Sequence, residues 1–202
     1  MDELKATGVA EARDYFTCQL KELMEKRQVA AKEYSVIYIA DLLLRYMESE
    51  KFFVRDSENK LHHNILADLY AEFIQGNEET KRMTLRRLGD ICLLMTGLFA
   101  DYLNRKLVDL DYYFGMGGTA YQQLAHLELN KTKRSLFAEL SVKFKPFSNL
   151  LNEMNDRSNI QSNTDLLRLY EKWLLTGSDH LRELLAQNGL TSLIPVDPKV
   201  RH

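Results

Sequence analysis

Apolar residues recur along this chain at spacings of three and four, the signature of helices that each bury one face. Ala12, Phe16, Leu20 and Leu23 form such a stripe within residues 10–27, with charges on the other side. Over 31–49, Tyr34, Ile37, Tyr38, Ile39, Leu42, Leu43, Leu44, Tyr46 and Met47 leave little polar surface. That pattern predicts a central helix covered by neighbours on several sides. The run "EKFFVRDSENKLHH", 50–63, breaks the rhythm and reads as a loop holding Phe52 and Phe53 against the core. A two-stranded hairpin is the weaker reading there, being marginal in isolation. Ile65, Leu66, Leu69, Tyr70 and Phe73 restore a stripe over 64–75, closed by Gly76. Asn77 with Glu78 and Glu79 behind it then opens a helix, a polar cap followed by acids at the positive end. This helix is expected to reach Asn104, with Leu85, Leu88, Cys92, Met95, Phe99 and Tyr102 inward.

The stretch "DYYFGMGGTAY", 111–121, poses a choice. Gly115, Gly117 and Ala120 fit G-x-G-x-x-A, the turn that holds a dinucleotide when it follows a buried strand and opens the helix of a βαβ unit. Val, Ile and Thr are sparse between 121 and 160. The acid about 20 positions on, Glu139, lies inside another helical pattern, so the sheet that motif requires is missing. Leu107, Leu110, Phe114, Gly117, Tyr121, Leu124 and Leu127 instead form one helical face with the glycines inside it. Three helical glycines cost about 3 kcal/mol against alanine, so something must compensate. Close approach by a neighbour at Gly117 is the favoured account; a helix broken at 115–118, offering backbone N–H groups to an anion, is the other.

Downstream, "NKTKRSLFAELSVKFKPF" predicts a basic helix halted near Pro146. The polar run 151–165 reads as a long connection, followed by short helices at 164–175 and 178–188. Ser178 is the N-cap candidate of the second and Gly189 its stop. The fold class is therefore all-α, a single-domain helical bundle of about seven or eight helices over 1–190, with an extended tail at 191–202.

Composition adds limits more than leads. The chain has 202 residues, 45% hydrophobic and 28% charged, with 9 Gly and 3 Pro, which suits long regular segments. A net charge of −2 gives no overall attraction to nucleic acid or anionic membrane. The basic clusters Lys81, Arg82, Arg86, Arg87 and Lys131, Lys133, Arg134, Lys143, Lys145 then read as solvated faces, and a nucleic-acid partner is not expected. Neither a signal peptide nor a membrane span is readable. Cys18 and Cys92 have no metal spacing and are expected to be buried thiols in a reducing, cytoplasmic compartment.

Chemistry-bearing groups are few. No metal is expected: Glu-x-x-His pairs are absent, His62 and His63 diverge by about 100° on a helix, and His180 and His202 stand alone in sequence. No nucleophile-elbow motif occurs, so no catalytic residue and no cofactor are assigned. Asp90, Gly97, Asp101 and Asn104 share a helix face. With Asp109, Tyr112, Tyr113, Gly117 and Tyr121 they define a candidate small-molecule pocket between helices at 83–104 and 107–129. Asp41 and Arg45, one turn apart, read as an internal ion pair.

The segment "LGDICLLMTGLFADYLNRKLVDLDYYFGMGGTAYQQLA", 88–125, with "SVIYIADLLLRYM" and "EKFF" upstream, resembles an uncharacterised family of bacterial all-helical cytosolic proteins. The resemblance spans roughly 34–127 and implies no activity, substrate or cofactor. Two functions are expected from the sequence. The first is a non-enzymatic interaction or regulatory module working through helix-face contacts with a protein partner or a second copy. The alternative is a small-molecule-binding protein or enzyme using the pocket named above. A closed contact at Gly117 favours the first; a concavity lined by those acids and tyrosines favours the second.

Overall fold

The structure, a computed structural model, describes residues 2–53, 61–100, 103, 110–158, 172–173 and 176–187. Eight helices and no strand occur among the described residues, so the fold is all-α. They are α1 (Asp2–Lys26), α2 (Glu33–Phe53), α3 (Leu61–Gln75), α4 (Glu78–Leu98), α5 (Leu110–Leu127), α6 (Lys131–Val142), α7 (Phe144–Ser158) and α8 (Asp179–Gln187). Two compact units divide the chain, Met1–Asn152 and Glu153–His202.

In the first unit α5 is central: its most extensive contacts are with α4 and then α6, while α1 lies on α2, α3 on α4, and α2 touches α6. The stripes explain the burial. Leu20, Leu23, Ile39, Leu85, Cys92, Leu93, Tyr121, Leu124 and Leu140 are all lost from solvent, each large side chain contributing about 1.5–3 kcal/mol of transfer free energy. α2 is buried through Val36, Tyr38, Ile39, Leu42 and Leu43, although Ile37 turns outward.

Local chemistry sets the helix starts. Asn77 Oδ1 accepts from Thr80 N at 2.9 Å, and Asn130 Oδ1 accepts from Thr132 N and Lys133 N at 2.9 and 3.1 Å. Each satisfies donors that a helix cannot satisfy itself. At α2 the service comes from another helix: Glu139 of α6 accepts from Lys32 N at 3.1 Å and from Ser35 Oγ at 2.6 Å. The acid 20 residues beyond the glycine motif thus closes a helix end rather than a ribose site.

Several boundaries differ from the sequence expectation. α2 runs on to Phe53, so the first part of the expected loop is helical, and residues 54–60 lie outside the described residues. α4 stops at Leu98, where Phe99 takes a non-helical φ of −116° and its N–H reaches Met95 O. Pro146 does not mark a gap. It is the third residue of α7, where the missing N–H would have had no helical partner. α7 then continues to Ser158 through half of the expected connection, because Glu153 and Asp156 are buried and paired, not solvated. Cys92 is buried as expected, but Cys18 is exposed. It lies two residues from Leu20, hence about 160° around α1 from that inward face.

The glycine choice is settled by α5 itself, which is continuous from Leu110 to Leu127. Gly115–Gly118 sit inside it, and no broken end forms there. A Cβ on Gly117 would collide with the Phe144 ring and lie 2.7 Å from Cys92 Cβ, so the small residue admits the Phe144 ring of α7 against α5. In the second unit Met154, Trp173, Leu181, Leu184 and Leu185 are buried, and Ser178 immediately precedes α8. Among the described residues no helix is long and apolar enough to cross a membrane. The tail at 191–202 lies outside the described residues, as does most of the helix expected at 164–175.

Candidate functional site

α2, α4 and α5 bring two phenols together in the core around one carboxylate. Asp90 Oδ1 accepts from Tyr38 Oη at 2.6 Å and from Tyr121 Oη at 2.8 Å. Gly89 makes the second bond reachable: a Cβ there would fall 2.5 Å from Tyr121 Cε1, so the ring lies directly on the α4 backbone. Phe137 of α6 braces both phenols, edge-on to Tyr38 at 5.6 Å and stacked on Tyr121 at 5.9 Å between centroids.

Two arginines complete the cluster. Arg86 Nε donates to Tyr38 Oη at 3.0 Å and stands 3.9 Å from Asp90 Oδ2. Arg45 Nη2 stands 3.7 Å from the same oxygen, too long for a hydrogen bond. Both guanidiniums lie on the Tyr38 ring, 5.2 Å from its centroid for Arg86 and 5.7 Å for Arg45, within cation–π range. The cluster is graded in exposure: Tyr121 is fully buried, the Asp90 side chain is 14% exposed, and the Arg86 and Arg45 side chains are 47% and 46% exposed.

Burial raises the Asp90 carboxyl above its ordinary value; the bonds from Tyr38 and Tyr121 and the charges of Arg86 and Arg45 only partly oppose it. Burial, with the adjoining Asp90 charge, likewise raises Tyr38 and Tyr121, so both phenols keep their protons and act as donors. The Cys92 thiol, pushed up to about 12 by burial, is a core group rather than a nucleophile.

Of the residues named from sequence, Asp90 and Tyr121 meet. Tyr113 is buried, Tyr112 is exposed, and Gly117 is filled by Phe144. Asp101, Asn104 and Asp109 lie outside the described residues. Sequence reasoning missed Tyr38, Arg45 and Arg86 as Asp90's partners. It paired Arg45 with Asp41, whereas Asp41 accepts from Arg13 Nε of α1 at 2.6 Å. The basic run on α4 also divides: Lys81 covers Phe73, Arg82 reaches Leu127 O and Glu78, and Arg86 joins the carboxylate.

The second unit holds another linked set. Asp156 receives Lys172 Nζ at 3.0 and 3.2 Å and faces His180 Nε2 at 2.9 Å, while His180 Nδ1 faces Ser178 Oγ at 2.8 Å. His180 is therefore not alone. With Nε2 donating to the carboxylate, Nδ1 is left to accept from the hydroxyl. Lys172 shares the carboxylate and Ser178 stands at the helix start, so the set neutralises a buried acid and ties down the beginning of α8. No group of three or more metal-binding side chains occurs among the described residues. Comparison with protein-family models, curated proteins and solved structures gives no match for this chain.

Proposed function

We propose that this chain is a non-enzymatic interaction or regulatory module, a bacterial cytosolic protein that meets a protein partner or a second copy of itself through a helix face. The observation that carries this reading is the closed contact at Gly117, where Phe144 and Cys92 occupy the space a ligand would need. Tyr113 and Tyr121 are likewise spent on the core. Apolar surface is meanwhile left outside. On α3, Tyr70 and Ile74 stand one turn apart and about 60% exposed, with Met83 equally exposed on α4. Neighbouring apolar side chains on one helix are the raw material of such contacts.

Light scattering behind size exclusion, across protein concentration, tests the self-association form. Ile74→Lys with Tyr70→Lys should shift a dimer to monomer while leaving the melting temperature nearly unchanged, since both sites are solvated. A protein monomeric at every concentration, whose melting temperature rises sharply with one small metabolite, would defeat the proposal. The second reading, a small-molecule site, is favoured by Arg45 and Arg86 and moves from the gap between α4 and α5 to the junction of α2, α4 and α5.

A further inference from the structure

Arg45 and Arg86 are held in a way an ordinary surface ion pair is not. Long cationic side chains on a protein surface usually sample many rotamers, and fixing them costs entropy. Here both guanidiniums stand over one tyrosine ring whose hydroxyl donates to Asp90. Arg86 spends only Nε, on Tyr38, and Arg45 donates no hydrogen bond among the described residues. Arg45 Nη2 and Arg86 Nε thus both approach Asp90 Oδ2, and the other N–H donors of these two half-exposed guanidiniums make no hydrogen bond among the described residues.

The charges leave a surplus. Asp90 is one negative group facing two positive ones, and its Oδ1 is already saturated by two phenols. It is also the covered member of the set, whereas the guanidiniums are the accessible ones. Such an arrangement uses the carboxylate as a bracket that orients cations toward a third party. Two planar forks with free N–H groups match an anion having several oxygens around one centre, which a phosphate group supplies and a single carboxylate does not.

The geometry points to Arg45 and Arg86, braced by Tyr38 and Asp90, as a binding site for a phosphate group, either free or carried by a small molecule. This deepens the small-molecule reading of the same junction and is independent of the α3 face. Recognition is by charge-assisted hydrogen bonds from the Nη groups. Neither tyrosine is required to contact the ligand.

Isothermal titration and thermal unfolding at fixed ionic strength test it, with inorganic phosphate, glycerol 3-phosphate, and acetate as a carboxylate control. Phosphate well above its Kd should raise Tm by about 2–6 °C, and acetate should not. Arg45→Ala should weaken phosphate binding about tenfold or more; it also gives up the contact with the Tyr38 ring, so each variant's phosphate-induced rise in Tm is measured from its own unliganded value. Arg45→Lys keeps the charge without the fork and should recover only part of that loss. Tighter binding of glycerol 3-phosphate identifies a phosphorylated small molecule, and tighter binding of inorganic phosphate identifies the free ion. Equal responses to phosphate in wild type and Arg45→Ala, or no response in wild type, overturn the inference. A selective response to a ligand lacking phosphate, lost in Arg45→Ala, would overturn it while sparing the small-molecule reading.

Discussion

Gly115 and Gly117 are two residues apart on one helix, yet they face opposite environments. A Cβ at Gly115 meets nothing within 4 Å, whereas one at Gly117 collides with Phe144 and Cys92. Helix propensity favours alanine at both by up to about 1 kcal/mol, so only packing separates them. Gly115→Ala should stabilise the protein by about 0.5–1 kcal/mol. Gly117→Ala should destabilise it by about 1–3 kcal/mol, because a buried ring cannot retreat without opening space elsewhere. Urea denaturation of the two variants checks the pair, and equal shifts would contradict the closed contact. Periodicity reached the helical face and the need for a neighbour at Gly117. It could not supply the neighbour, since Phe144 is 27 positions away and belongs to a helix whose start was read as a stop at Pro146. Cys18 shows the same limit: apolar Phe16 and Leu20 lie two positions to either side, but its angle on α1 decides its exposure.

Among elements, α4 was the most legible. Its cap and its inward stripe through Leu85, Leu88, Cys92 and Met95 are local signals that tertiary packing reinforces. α7 was the least legible: its polar residues are paired internally, and hydropathy cannot tell a paired acid from a solvated one. The start of α2 was hidden for a related reason, since its capping group comes from α6. Burial alone would raise the Glu139 carboxyl, but bonds from Lys143 Nζ, Ser35 Oγ and Lys32 N together outweigh it and hold the group below its ordinary value. A depressed carboxyl adds stability above its unfolded value, and that stability is lost as pH falls through the folded one. Glu139→Gln should therefore cost about 1–3 kcal/mol near neutrality and flatten the loss of stability toward acid. Chemical denaturation repeated between pH 3 and pH 7, values chosen to bracket about 4.3, measures both effects. A variant whose pH profile parallels that of wild type would remove Glu139 from this role.

For the molecule as a whole, two carboxylates pull stability in opposite directions with pH. Asp90 is raised, chiefly by burial, so its contribution is present below its unfolded value and is lost as pH rises through the folded one. Asp90→Asn fixes the neutral form. Its stability relative to wild type should improve as pH rises through that window, a sign opposite to that of Glu139→Gln, and a flat or falling difference would contradict the burial of this charge. The sequence points to Asp90 through the helix face it shares with Gly97, Asp101 and Asn104, and to Tyr121 through its place on the apolar face that carries Gly117. Tyr38, Arg45 and Arg86 escaped because a junction of three helices has no single period to read. All-α architecture needed no such junction and followed from the spacing of apolar residues alone.

The Glu139 bond to Lys32 spans 107 positions of chain, and that separation matters during synthesis. A ribosome releases the first turn of α2 long before it has made the carboxylate that completes it. Until α6 arrives, the Lys32 amide just ahead of α2 and the Ser35 hydroxyl lack their carboxylate, so the corner between α1 and α2 should close fully only once α6 is in place. Pulse-labelling hydrogen exchange would see it as the Lys32 amide gaining protection together with α6, well after the middle of α2.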